Sequence, residues 1–372
     1  MKKLIAAVLA AIILLAGLTS CSVNTRKIKN EDSVIGILTP GSNDGDEYSE
    51  VLKIQEKYGA DKIAFETYDV GLGSSVASIY EAAQRLLENH NIKAIVFARG
   101  VEGTADAIKA VKAARPDVEC IDVNPSEIDY YVSQTADLTI SMGDAETCAS
   151  MVAAAKKAGM KTVVYLVPDR FAQNKSVRKT AEALQTACDD KGIEYVEHTY
   201  SNEVDSLDLI THVVKSVVLE CIEEYGKETA FYSASCLATD TVIQTAAENE
   251  AGFIYGLCNC PDNHYKTAFG VEGGENYSQM LENVRTVVDE KALENLCVIE
   301  SSPSPVMLKI ALGYAIAYCN GSINADEGFD EGAFRSAIKT ALKDESVDEI
   351  EFSASEEYGN IVNVGFPAET LK

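Results

Sequence analysis

The chain has 372 residues, with 58 Asp and Glu against 32 Lys and Arg, a formal net charge of −26 and no tryptophan. That balance excludes nucleic acid and anionic lipid surfaces as partners, because both require basic patches. Behind its leading segment about 340 residues remain, enough for two ordinary domains with full cores.

The first element in chain order is MKKLIAAVLAAIILLAGLTSCS (1–22): two lysines, an apolar run over 4–18, then small residues before Cys21. It has the form of an export signal (1–20), too short and wrongly flanked for a stable membrane span. Leu18-Thr19-Ser20-Cys21 resembles the bacterial lipobox, which implies cleavage before Cys21 and lipidation of that residue. An ordinary signal peptide ending near a cysteine is the alternative. Residues 21–32 are polar and aperiodic, as suits a tether. The expected mature protein is held on the extracytoplasmic face of the cell membrane by its lipid anchor alone.

From Val34 onward, short apolar runs alternate with amphipathic helical patterns. Strands are expected at VIGIL (34–38), KIAFET (62–67), AIVFA (94–98), ECIDV (119–123) and DLTIS (137–141), with helices at 46–58, 74–89 and 104–115. The cycle restarts after a break at 141–144. Helix 145–159 leads to strands TVVYLV (162–167), EYVEHT (194–199), TAFYS (229–233) and GFIYGL (252–257), with helices at 176–191, up to Tyr225, and at 239–249. Near-continuous apolar strands joined by amphipathic helices specify parallel sheets covered on both faces, here two in succession. Helix 277–291 and strand CVIES (297–301) follow, and two prolines within 301–305 open a long apolar helix ending at Asn320-Gly321. Those prolines fit a crossover between lobes, and equally a loop before a proline-initiated helix.

This order of leader, α/β lobe, α/β lobe, strand, proline segment and return helix resembles the type I periplasmic binding proteins. VDEKALENLCVIESSPSPVMLKIALGYAIAYCNGS (288–322) is similar in pattern to the segment where sugar-binding members cross back to the first lobe. More narrowly, KAIVFARGVEGTADAIKAVKAARPDV (93–118), AFYSASCLATDTVIQTA (230–246) and CNCPDNHY (258–265) resemble an uncharacterised family of exported binding-protein-like molecules of Gram-positive anaerobes. The resemblance implies an α/β fold of two Rossmann-like lobes with parallel sheets, joined by a multi-crossover hinge. Lobe 1 would take 33–141 plus 302–345, and lobe 2 142–301 plus 346–372.

Ligands of open parallel sheets bind beyond the carboxyl ends of the strands. The candidates after the first-lobe strands are Thr39 and Asn43, Tyr68, Arg99, and Asn124. Nearby Asp46 suits helix capping as well as ligand contact. YDVGLGSS (68–75) lacks the Lys-Ser/Thr of a phosphate loop. Arg99 offers a fork for a carboxylate or phosphate, or one half of an ion pair. In the second lobe the candidates are Asp169 and Arg170, Cys236, with Asp240 in the first turn of its helix, and Asn259, Asn263 and His264 within CNCPDNHY. Ser302 stands at the proline segment.

Signatures of catalysis are missing: there is no G-x-S-x-G elbow, no H-E-x-x-H, and His90, His198, His212 and His264 have no spacing for a shared metal. NADEGFDEG (324–332) has Phe329 where a calcium loop needs glycine and Arg335 where it needs glutamate, which makes it a solvated acidic turn. CNCPDNHY stays open to four readings: metal ligands together with Cys236 and His264, a labile disulfide, a polar binding loop, or plain packing. The binding loop is carried forward, with no metal and no cofactor. Of ten cysteines, Cys148, Cys188, Cys221 and Cys319 sit in helical patterns as small hydrophobes.

The expected function is that of a non-enzymatic solute-binding protein closing over a small polar molecule, namely a sugar, nucleoside, amino acid or signalling diol. It would serve ABC-type uptake through a permease, or a membrane sensor. The alternatives are a metal- or thiol-dependent redox protein or enzyme using the region of Cys236, Cys258 and Cys260, and a surface interaction protein without ligand. An aromatic content of 7% weighs against a stacked pyranose, though Tyr68, Phe97 and Tyr265 remain to stack a nucleobase.

Overall fold

A computed structural model describes Thr25 and residues 27–41, 46–69, 76–201, 207–255, 264, 267–271, 277–290, 296–299, 302–323, 329–344 and 350–370. The expected export signal and Cys21 lie outside these residues.

In the first lobe β1 (Val34–Pro40), β2 (Ile63–Tyr68), β3 (Ile92–Phe97), β4 (Glu119–Val123) and β5 (Leu138–Met142) run parallel in the order 2-1-3-4-5. Every residue of β1 is buried, because helices cover both faces of the sheet. Helices α1 (Asp46–Tyr58), α2 (Val76–Leu87) and α3 (Thr104–Ala114) connect the strands, and a short α4 (Asp129–Ser133), absent from the sequence pattern, precedes β5.

The second lobe repeats the plan. It comprises α5 (Asp144–Lys157), β6 (Thr162–Pro168), α6 (Lys175–Lys191), β7 (Glu194–Tyr200), α7 (Leu207–Tyr225), β8 (Thr229–Ser233), α8 (Cys236–Glu248), β9 (Gly252–Tyr255), α9 (Tyr277–Glu290) and β10 (Leu296–Ile299). Its strand order, β7-β6-β8-β9-β10, is again 2-1-3-4-5. Helix α8 begins at Cys236, three residues before the expected start, because Ser233 and Ser235 close the preceding turn: Ser233 Oγ donates to Ser235 O at 3.0 Å and accepts from Ser235 N–H at 3.1 Å. Asp240 therefore lies one turn into the helix rather than in its first turn.

The chain then returns. Helix α10 (Pro303–Cys319) starts on a proline and is apolar around its whole circumference, since it is sandwiched between the first sheet and α11 (Glu331–Ala341). A Cβ on Gly313 would lie 3.0 Å from the Ala337 Cβ, so glycine is what permits this close approach of α10 and α11. Asp330, expected in a solvated acidic turn, caps α11 by accepting from Ala333 N–H at 2.8 Å.

Two expected boundaries shift. The segment 346–372, assigned whole to lobe 2, divides: β11 (Glu351–Ala354) and β12 (Ile361–Gly365) extend the first sheet, where β12 pairs parallel with β5, and only β13 (Ala368–Thr370) joins the second sheet, antiparallel to β10. Val362 and Val364 of β12, both fully buried, join the first core. Among the described residues the chain thus crosses between lobes three times: after β5, after β10 and after β12.

The supposed tether also docks. Ile28 is buried, Thr25 Oγ1 donates to Ser336 O at 3.2 Å, and the Asn320 amide accepts from Lys29 N–H at 2.8 Å while donating to Lys27 O at 2.9 Å. Asn320→Ala is expected to cost about 1 kcal/mol and to speed hydrogen exchange at the Lys29 amide. Unchanged protection there would show that Ile28 alone holds the segment.

Cys120, Cys148, Cys188, Cys221 and Cys319 are buried thiols outside any disulfide. Among the described residues no helix is long and apolar enough to cross a membrane.

Candidate functional site: the cleft between the lobes

In a doubly wound sheet the strand order reverses between the first strand and its third, and the loops beyond that point splay apart. Here the reversals fall between β1 and β3 and between β6 and β8. The loops leaving β3, β4, β6 and β8 enclose a cavity of about 840 Å³ between the lobes.

On the first-lobe wall, Arg99 follows β3. The Tyr68 hydroxyl donates to the Arg99 carbonyl, while Arg99 Nη1 stands 3.8 Å from Glu47 Oε1, whose side chain α1 buries. Burial holds the Tyr68 phenol above its ordinary range, so it keeps the proton it donates. Gly100 comes next because nothing larger fits. A Cβ there would sit 2.5 Å from Asp122 Oδ1 and 2.8 Å from Pro125 Cα. Asp122 is fully buried beneath this turn, and its oxygens have no hydrogen-bond partner among the described residues. Burial, reinforced by the Glu127 charge, lifts its carboxyl well above the usual carboxylate range.

Asn124 follows β4 in the left-handed region, φ 48°, which asparagine tolerates better than most residues, and its N–H donates to Ile140 O at 2.7 Å. Three residues on, Glu127 accepts from Gly103 N–H at 3.2 Å and from Ala105 N–H at 2.8 Å, capping α3 from across the loop.

The second-lobe wall carries Asp144, held 3.7 Å from Lys179 Nζ, and Tyr232, whose ring stacks on Tyr165 with centroids 5.3 Å apart. Burial raises the Asp144 carboxyl, and Lys179 opposes that rise. Cys236, exposed at the head of α8, completes this side. Its Sγ is 3.2 Å from His264 Nε2, and His264 Nδ1 is hydrogen-bonded to Asp240 Oδ1. The wall therefore offers charges of both signs, amides and a thiol, a surface suited to a polar guest.

The candidates divide accordingly. Among the described residues the cavity wall includes Arg99, Asn124 and Cys236. Thr39 and Tyr68 are buried behind it, and Ser302 occupies the N-cap position of α10, its carbonyl accepting from Val306 N–H. Asp169 and Arg170 form a single 3-10 turn on the surface, with the Arg170 guanidinium 4.6 Å from the Phe171 ring centroid. Asn43, Asn259 and Asn263 lie outside the described residues. Sequence reasoning passed over Asp122 and Asp144, and read Asp240 only as a first-turn residue; because its helix was expected to begin at 239, the pattern did not show that Cys236 and Asp240 share one helical face.

Two doubly wound lobes, crossed three times among the described residues and open to each other at their strand ends, have the fold of the type I periplasmic binding proteins. Solved structures share this fold. A protein from Clostridium difficile 630, described provisionally as a transcriptional regulator, superposes with a TM-score of 0.80 at 15% identity, covering 91% of this chain and 99% of its own. A sugar ABC transporter protein of Actinomyces odontolyticus ATCC 17982 gives a TM-score of 0.52 at 12% identity over 80% of this chain and 86% of its own. A periplasmic ribose ABC transporter protein of Conexibacter woesei DSM 14684 gives 0.51 at 15% over 78% and 87%.

The chain belongs to the family described as "Protein of unknown function (DUF3798)", whose model matches residues 34–297. Two uncharacterised proteins of Treponema pallidum (strain Nichols) are relatives. One is 27% identical over 149 residues, 40% of this chain and 69% of its own length, and the other 29% identical over 175 residues, 44% and 78%.

Proposed function

We propose that this protein is an extracytoplasmic solute-binding protein, anchored through lipid on Cys21, that closes its lobes over a small polar molecule and presents it to an ABC-type permease or a membrane sensor. The observation that carries this reading is the cavity of about 840 Å³ walled by strand-end loops of both lobes. A guest there contacts both sides at once, so binding and lobe closure are coupled through the hinge. Arg99, Asn124 and Cys236 are its assigned contacts. The neighbours named for sugar and ribose transport put sugars first in the order of testing, ahead of nucleosides, amino acids and diols.

A thermal-shift titration over these four classes, with and without chelator, tests the reading. One class is expected to raise the melting temperature with concentration, as any ligand of the folded state must. Arg99→Ala is expected to weaken that ligand by about 10-fold to 100-fold, the worth of a hydrogen bond to a charged group. No shift across the panel, or one that Arg99→Ala leaves untouched, would remove the reading or this residue respectively.

A further inference from the structure

We propose that Cys236, His264 and Asp240 form a proton relay that makes Cys236 a nucleophile toward small acyl compounds, esters or thioesters, held in the cleft. The geometry is that of a line. The imidazole of His264, 5% exposed, lies between thiol and carboxylate, with Nε2 3.2 Å from Cys236 Sγ and Nδ1 bonded to Asp240 Oδ1. Helix α8 arranges two of the three groups, because residues 236 and 240 fall one turn apart on one face, and His264 is laid across them. With Nδ1–H donated to the carboxylate, the Nε2 lone pair faces the thiol, the tautomer a general base requires.

Among the described residues no group of three or more Cys, His, Asp or Glu side chains is placed to hold an ion. A line of thiol, imidazole and carboxylate moves one proton and no electrons, which suits acyl transfer rather than redox exchange.

The step balances. Sγ attacks the carbonyl carbon, its proton passes to His264 Nε2, and the carbonyl oxygen takes negative charge beside the N-terminal turn of α8, the positive end of that helix. The bond from the carbonyl carbon to the leaving group breaks, carbon–oxygen in an ester and carbon–sulfur in a thioester, and the proton on Nε2 goes to the departing oxygen or sulfur. Water, deprotonated by the same imidazole, then hydrolyses the thioester and restores the thiol. Cys236 lines the cavity and is exposed there, while the imidazole that serves it is buried.

The test mixes the purified protein with p-nitrophenyl acetate, follows nitrophenolate release and maps the acetyl group by peptide mass spectrometry. A burst of about one equivalent per chain, with the acetyl on Cys236, is expected. Cys236→Ser should abolish it, and His264→Ala should slow it roughly 100-fold, the usual contribution of a positioned base. Because loss of a buried imidazole also alters packing, His264→Gln, which still bonds Asp240, is run beside it and should be as slow. Asp240 acts only through His264, so Asp240→Glu should retain more of the rate than Asp240→Asn. Acetylation at another residue, or an unchanged rate in both His264 variants, would overturn the relay. A missing burst beside an intact solute-induced thermal shift would remove the nucleophile and leave the binding function standing.

Discussion

Between pH about 4.5 and about 8 the folded protein is expected to lose stability, and Glu119→Gln is expected to remove the part of that loss that Glu119 carries. Glu119 opens β4 at the end of the sheet away from the cleft. It is 4% exposed, and Oε2 has no hydrogen-bond partner among the described residues. Beside it Asp137 accepts from Lys112 Nζ at 2.8 and 2.7 Å and from Cys120 N–H at 2.7 Å. Burial, then the Asp137 charge, raises the Glu119 carboxyl to about 8, with Lys112 only partly opposing. The folded state therefore keeps a proton that the unfolded chain has already released. Its stabilisation is complete below about 4.5 and disappears as pH climbs to about 8, after which the curve is flat. Asp122, raised chiefly by burial, acts in the same sense. The loss at Glu119 is on the order of a few kcal/mol. Urea midpoints at both ends of the window, for the wild type and for Glu119→Gln, measure it. Parallel curves for the two proteins would show that Glu119 ionises without cost.

Phe334→Ala is expected to destabilise the first lobe by about 3–5 kcal/mol. The ring is fully buried on α11. It meets Tyr314 of α10 edge-on at 6.3 Å, Phe329 at 5.3 Å and Phe352 of β11 at 5.1 Å. These contacts join three successive elements, α10, α11 and β11, so little can collapse into the vacated space, and the cavity term adds to the lost transfer energy. Chemical denaturation followed by near-ultraviolet tyrosine signals reads the effect. A cost under about 1 kcal/mol would mean that α11 repacks onto α10 without the ring.

Most of the scaffold was legible before the structure, and the reason is burial on two faces. Runs such as VIGIL and TVVYLV are apolar at successive positions, which only a strand covered on both sides tolerates, and their spacing dictates helical connections. The same logic fails at the sheet margins. β11, with Glu351 and Phe352 among small and polar residues, has no such signature, so the division of 346–372 between the lobes stayed hidden. Local pattern was equally silent on the segment 25–32, whose docking depends on one apolar side chain and on an amide nearly three hundred residues away.

For the cleft, strand-end logic points to Arg99, Asn124 and Cys236, and these line the cavity. Thr39 and Tyr68 stand at strand ends too but are buried, since lying at a strand end does not say which face of the sheet a side chain takes. The meeting of Cys236 with His264 across a separation of 28 residues belongs to tertiary structure. Sequence could offer the residue types, but not the line they make.

The three passages of the chain between lobes have a consequence for biogenesis. Neither lobe is one continuous stretch of polypeptide. The first sheet, β1 to β5, emerges early during synthesis, yet the apolar helix that seals one of its faces, α10, and the partner of that helix, α11, come only after β6 to β10 of the second lobe. For that interval Ile37, Ile121 and Ile140 have no permanent cover. The nascent chain must then be shielded by a chaperone or by the second lobe as it forms.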